Sequence, residues 1–403
     1  MKKILYILSG NLSTTPRALQ SIKTAKQHYE VEVLGVNRSD VWAKIDTNLI
    51  DENSINYKTV SLKRDSFFTW LTSSIVHSIS QKIYKFFSKN IHVTAYASSK
   101  TMYLLKKELK KYNKQYDLVI AHSYGSLYPA YIYSRRNNIP FIFDIEDFHP
   151  GEAISNNNQF EAERKEFLMK KLLSKASFIT YASPLIGSYS LKLLDDYPDD
   201  RHSLINNCFS ELDFSMIDKK SEKINFVWFS QNITAGRGLE TIIPILYNSR
   251  KYIHLTLIGN LYSDFYTKFL KQYKDAITFI SPLSQRELNE RLADFDIGLA
   301  LELKSSDANR DICLTNKIFA YAQAGLYVLA TDTRAQTQFI NEHSLLGALY
   351  TPNTQELKNR LEFIINSINE IRKDKQTRFD YAKRLSWENE SLKLIEVWEN
   401  LLQ

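Results

Sequence analysis

A chain of 403 residues that is 44% hydrophobic and 13% aromatic can bury a sizeable core, which excludes intrinsic disorder and points to two domains or one large one. Two cysteines, Cys208 and Cys313, are too few for a disulfide framework or a zinc cluster and suit buried thiols in a reducing compartment. The net charge of +7 is concentrated between Tyr57 and Lys114. There, Lys58, Lys63, Arg64, Lys82, Lys85, Lys89, Lys100, Lys106, Lys107, Lys110, Lys111 and Lys114 face only Asp65 and Glu108.

That patch suits anionic head groups, anionic substrates or nucleic acid, or is simply a solvated basic face. No nucleic-acid reading module accompanies it, so nucleic acid is not an expected partner.

The first apolar run, Ile4–Leu8, is shorter than a signal peptide's and is followed by polar Ser9, Asn11 and Ser13, so it reads as a buried first strand. A helix from about Arg17 to Tyr29, a strand Val31–Val36, a helix from about Ser99 to Lys111 and a strand Leu118–His122 follow. Next come a helix over Pro129–Arg136, a strand Phe141–Asp144 and a strand Phe178–Ala182. Strands alternating with helices in this order predict βαβ units and a parallel, doubly wound sheet.

The rhythm restarts after the polar stretch Asp213–Lys223. Strands Phe226–Phe229, Leu255–Ile258, Ile277–Ile280, Ile297–Leu301 and Val328–Ala330 interleave with helices starting at Leu239, Ser284 and Asn316. Two consecutive α/β domains are predicted, residues 1–206 and 207–385, with residues 386–403 forming a last helix whose apolar Leu392, Ile395, Trp398 and Leu401 must pack on something. No window reaches the roughly 18 apolar residues of a spanning helix, so a cytoplasmic protein is expected. Phe67–Phe87, with Phe68, Leu71, Ile75, Ile79, Ile83 and Phe86 at three-to-four spacing, predicts an amphipathic helix that either packs on its own domain or lies on a membrane surface.

In open α/β sheets, ligands bind beyond the carboxyl ends of the strands. In the second half, Glu302, Asp307 and Leu314-Thr315-Asn316-Lys317 follow one strand. Thr315 as a helix N-cap would aim backbone N–H groups at an anion, and Lys317 in the first turn, against the helix dipole, suggests that the anion is a ligand. Gly236-Arg237-Gly238, after Phe226–Phe229, lets backbone approach a ligand while Arg237 makes a bidentate phosphate contact. In the first half, Asp144, Glu146, Asp147, His149 and Glu152 crowd one strand end and His122 closes another. Carboxylates there can bind sugar hydroxyls or act as a general base, and a solvated acidic loop is the plainer alternative. Ser9 to Thr15, with Asn11, followed by Pro16-Arg17 opening a helix, is a polar loop at the end of the first strand.

These pieces resemble, in order, the motifs of family-4-type GT-B glycosyltransferases. The run DIGLALELKSSDANRDICLTNKIFAYAQAGLYVLATDT (296–333) is similar to their donor-site region, and TTPRALQ, YDLVIAHSYGSLYPA, FDIEDFHPGE, GRGLETI and RLSWENE are similar to five further motifs. The resemblance implies two Rossmann-like domains with a cleft between them, an acceptor on the first domain, a nucleotide-sugar on the second, and a last helix crossing back to the first. It implies that Arg237 and Lys317 contact the donor phosphates, with Asn316 and Gly236 beside them. Departures are clear: Ile312 and Ala320 stand at the usual glutamate pair, Gln231 at an arginine and Glu146 at the acceptor-side histidine. Glu302 and Asp307 are then the expected replacements for the ribose-binding glutamate.

The expected function is transfer from a nucleotide-sugar, UDP- or GDP-linked, to a glycan, in a lipid-linked form or not, without metal or cofactor. Glu146, Asp147 and His122 are the catalytic candidates, and Asn11, Arg17, Asp144 and His149 the acceptor-binding ones. The competing expectation is an inactive GT-B subunit that binds glycan or a partner. A GT-B epimerase or phosphorylase ranks below both, because the chain shows no lysine site for a pyridoxal cofactor.

Overall fold

The computed structural model describes residues 1–113, 116–154, 160–217 and 221–403. Lys114 of the basic segment and residues 218–220 of the polar stretch lie outside the described residues. The chain divides into two compact units, Met1–Ile205 with Ser391–Gln403, and Asn206–Glu390.

The first unit is built on seven strands: β1 (Lys3–Leu8), β2 (Glu30–Asn37), β3 (Asn56–Ser61), β4 (Leu118–His122), β5 (Phe141–Ile145), β6 (Phe178–Tyr181) and β7 (His202–Leu204). Their spatial order is β3-β2-β1-β4-β5-β6-β7, and every pairing is parallel. Central strands covered by helices on both faces must be apolar throughout, and Ile4 to Leu8 and all of β4 and β5 are buried. The order reverses between β1 and β4, so the crevice that ligands use in such sheets opens where those two strands end. The register brings Leu8, His122, Asp144 and Thr180 into one row along that edge.

The second unit repeats the plan with β8 (Ile224–Ile233), β9 (Ile253–Leu261), β10 (Ile277–Ile280), β11 (Ile297–Ala300), β12 (Tyr327–Thr331) and β13 (Gly347–Tyr350). The order β10-β9-β8-β11-β12-β13 is again all parallel and puts the switch point between β8 and β11. Phe226, Trp228, Ile242, Leu257, Leu299 and Leu329 form part of its core.

The last helix, Trp387–Leu402, starts in the second unit, where Trp387 N donates to Phe209 O at 2.9 Å. From Ser391 onward it belongs to the first unit. There Trp398 is fully buried and meets the edge of the Tyr29 ring at 6.3 Å, and Ile395 and Leu401 are half-buried, whereas Leu392, expected to pack with them, is 63% exposed.

Candidate functional site

The carboxyl edge of the first sheet carries a buried charge network. Arg17, in the first turn of helix Pro16–Ala25, grips Asp144 at the end of β5 with Nε to Oδ2 at 2.6 Å and Nη2 to Oδ1 at 2.8 Å. Arg17 also donates to Ile205 O, and Thr180 donates to Asp144 Oδ1. His122 completes the cluster, its Nδ1 3.1 Å from Asp144 Oδ2 and 3.4 Å from Glu146 Oε1, with its ring stacked on Tyr6 at 5.9 Å.

Burial alone would push the His122 pKa down, but the carboxylates of Asp144 and Glu146 outweigh it and lift it to about 9. Burial likewise disfavours the Asp144 carboxylate, and Arg17 and His122 overcome it, holding its pKa well below the usual carboxylate range. His122 is therefore an imidazolium at neutral pH, a hydrogen-bond donor rather than a base. His122, Asp144 and Glu146 offer ligand-type atoms within 4.8 Å of one another. The Arg17 guanidinium on both Asp144 oxygens makes that spot unfavourable for a metal cation.

Arg17 and Asp144, expected to hold an acceptor, are spent on each other in the interior; they position His122 instead. Asn11 is also corrected: it is buried, its Nδ2 donates to Asp46 Oδ2 at 2.8 Å, and its Oδ1 accepts from Arg38 N at 3.1 Å. Asp46, in helix Asp40–Glu52, further accepts from Leu12 N at 3.2 Å and Ser13 N at 2.7 Å. A carboxylate thus fills the backbone N–H loop after β1, where Rossmann folds place a phosphate.

Polar atoms remain available on this edge. His122 Nε2, His149 Nε2 and Glu146 Oε1 are buried and without a hydrogen-bond partner among the described residues, a condition that in native proteins calls for a ligand or water. His149 Nδ1 lies 2.8 Å from Glu152 Oε1, and Glu152 Oε2 accepts from Lys165 at 2.7 Å. Burial opposes the Glu152 charge, but His149 and Lys165 bring its pKa down to about 2. Glu146 and Asp147 are half-buried beside them. Ser123, directly after His122, has φ 66° and ψ 152°, a region that essentially only glycine occupies without strain, and such strain gathers at functional sites. Gly125 follows because a Cβ there would lie 2.7 Å from Ser9 Cβ in the loop after β1.

The second sheet's switch point is a cation cluster. Glu302, just past β11 and 3% exposed, accepts from Lys317 Nζ at 2.9 Å on Oε1 and from Arg310 Nη1 at 3.0 Å on Oε2. Burial raises its pKa, yet Lys317, Arg310 and Arg237 together lower it. With both oxygens taken by cations, Glu302 orients Lys317 and Arg310; that replaces the ribose role expected for it. Asp307 Oδ1 caps helix Ala308–Ile312 by accepting from Arg310 N at 2.7 Å, which commits one of its oxygens. Thr315 stands at the N-cap of helix Asn316–Gln323 with extended backbone, but its side chain makes no capping bond. Ile318 N donates to Thr315 O at 3.2 Å, which leaves the first N–H groups of the helix, those of half-buried Asn316 and Lys317, to another acceptor.

Arg237 is the telling residue. It is half-buried between Gly236 (φ 76°) and Gly238 (φ 81°), in the loop that leads from β8 into helix Leu239–Asn248. It has no hydrogen-bond or ion-pair partner among the described residues, although its charge is felt at Glu302. Arg237, Lys317 and Arg310 face buried Glu302 at a helix start, with Asp307 Oδ2 3.9 Å from Arg310 Nε as the second carboxylate, and the remaining positive charge suits an anion. Arg310 and Asp46 are the residues the sequence reading passed over; Arg310 stands eight positions after Glu302 in a charged loop, whereas nothing near Asp46 signals its partner.

Two doubly wound parallel sheets in tandem, with the last helix returning to the first unit, define the GT-B fold. The chain is similar over nearly its full length to HepE from Anabaena, solved in complex with UDP (15% identity, TM-score 0.69, covering 99% of this chain and 100% of that one). It is similar to a glycosyltransferase from Rickettsia africae (14%, TM-score 0.67, 100% and 99%) and to sucrose-phosphate synthase from Thermosynechococcus elongatus (13%, TM-score 0.67, 100% and 99%). At these identities the likeness establishes the fold. No protein-family model and no curated protein matches the chain in sequence.

Proposed function

We propose that the protein is a glycosyltransferase that moves a sugar from a nucleotide-sugar to a glycan hydroxyl. The unpartnered Arg237 beside the Lys317–Glu302–Arg310 cluster carries this reading, since a nucleoside diphosphate supplies the charge the cluster lacks. The HepE complexes with UDP and with UDP-glucose favour a uridine diphosphate donor. In the transfer, the bond from the anomeric carbon to the diphosphate oxygen breaks, its electron pair leaving with the diphosphate, and the acceptor oxygen bonds to that carbon. Arg237, Lys317 and the helix start stabilise the leaving charge without requiring a metal. The acceptor proton passes to Glu146 or Asp147 if configuration inverts, or to the leaving diphosphate if it is retained. His122 donates a hydrogen bond to an acceptor hydroxyl through Nε2, and His149 Nε2 engages a second one. A lipid-linked acceptor at the inner face of the cell membrane belongs to this reading.

Purified protein is incubated with a panel of UDP- and GDP-sugars, and thermal stabilisation and donor hydrolysis are followed. One donor should stabilise the protein in a manner lost in Arg237→Ala. Silence toward every donor, in wild type and variant alike, overturns the reading.

A second reading, a GT-B protein that binds glycan without transferring, is favoured by Ile312 and Ala320, both fully buried where glutamates would face the donor. Titration calorimetry separates the two: a binder takes up glycan but shows no nucleotide-sugar affinity that depends on Arg237.

A further inference from the structure

The helix Phe67–Ile83 leaves a stripe of its apolar residues in water. Its buried residues are Ser73 and Ser80, with half-buried Trp70, Leu71, Val76 and Ile83 and with buried Tyr84 just past its end. Its outward side is Phe68, Ile75 and Ile79, continued by Phe86 and Phe87 in the following turn, and Phe68 and Phe86 are 80% and 83% exposed. Helices in globular proteins turn their apolar stripe to the core, so this stripe has been built to face outward.

Its rim is basic. Lys82, Lys85 and Lys89 are exposed along the same stretch, and Lys82 and Lys89 have no acidic partner among the described residues. Lys85 lies over the Phe160 ring at 5.4 Å, and Arg64 over the Trp70 ring at 5.4 Å at the helix start. The surface touches the first unit's carboxyl edge through helix Glu161–Leu173: Arg164 lies over Tyr84 at 5.3 Å, and Lys165 of that helix holds Glu152, the partner of His149.

We infer that the helix Phe67–Ile83 with the turn to Lys89 is a docking surface for an anionic lipid bilayer, its aromatic and aliphatic stripe entering the interface and its lysines meeting the head groups. An apolar stripe flanked by unpaired cations matches the two terms of interfacial binding, burial of apolar area and attraction to anionic lipid. Nucleic acid would use the cations and leave the stripe in water. No helix among the described residues is long and apolar enough to cross a membrane, so attachment is to the surface. The inference does not depend on the transfer reaction.

The full chain is sedimented with vesicles of phosphatidylcholine containing phosphatidylglycerol, and with vesicles of phosphatidylcholine alone. Binding should require the anionic lipid, weaken with added salt, and fall on the order of 100-fold when Lys82, Lys85 and Lys89 are changed to glutamine, each lysine contributing about fivefold. Phe68→Ser with Phe86→Ser should weaken it comparably with an unchanged melting temperature, because both side chains are already in water. Absence of vesicle binding by the wild type, or binding by either variant that is unchanged from wild type, overturns the inference. So does a dimer of the wild type that dissociates in Phe68→Ser/Phe86→Ser without any vesicle binding, which makes the stripe a self-association face. None of these readouts uses a nucleotide-sugar, so their failure and that of the transfer reading are separate results.

Discussion

Lys317 Nζ lies 2.9 Å from Glu302 Oε1, so the cation nearest the helix start is held by an internal carboxylate while Arg237 is held by none among the described residues. The two residues should therefore respond differently to removal. Arg237→Ala should leave stability unchanged and weaken binding of the cognate nucleotide-sugar by roughly 10- to 100-fold, the worth of a charge-assisted hydrogen bond. Lys317→Ala should weaken binding and also destabilise the protein by about 2 kcal/mol, because buried Glu302 keeps only Arg310. Titration calorimetry and thermal melts on both variants check this, and equal melting temperatures would contradict the pairing.

His122 predicts a pH dependence. Its folded pKa of about 9 lies above the value of 6.5 for the free group. The stabilisation is thus complete below pH 6.5 and is lost as pH rises from 6.5 through 9. Stability should fall by up to about 3 kcal/mol across that window, and His122→Gln should flatten the slope. A wild-type profile with no decline there would show that the imidazole is neutral.

Asp144→Asn removes the charge that Arg17 and His122 share. With Arg17 left buried and uncompensated, a loss of about 3 to 5 kcal/mol is expected. Arg17→Lys should cost nearly as much, since an ammonium cannot reproduce the two-pronged grip. Urea unfolding of the two variants measures both values.

Ser123→Gly should raise stability by about 1 kcal/mol, relieving the positive φ at a smaller cost in backbone entropy. A drop in melting temperature would mean that the Ser123 side chain contributes more than its conformation costs.

What was legible in the sequence follows from where residues sit. β4 and β5 are buried along their whole length, and their apolar runs announce them. β3 (Asn56–Ser61) is an edge strand with no buried residue, and β7 is three half-buried residues; neither has a run to read. The helix expected from Pro129 starts at Tyr124 and carries Pro129 inside it. Proline favours a first turn, but here it stands in the second turn, where its missing N–H costs one hydrogen bond to the carbonyl of Gly125. The cations at the second switch point could be read because strand ends are where such folds bind ligands. The roles of Arg17, Asn11 and Asp144 could not, since each is decided by a partner far along the chain, such as Asp46, 35 residues from Asn11.

Asp46 in the loop after β1 also decides what the first unit can refuse. A carboxylate tethered in place competes with any free anion at an effective concentration on the order of millimolar or more, so a dilute nucleotide entering that loop must first displace it. The two units share one architecture, yet one loop is occupied by the chain itself and the other holds an arginine still without a partner. That difference makes the pair of sheets selective about which of them a nucleoside diphosphate can reach.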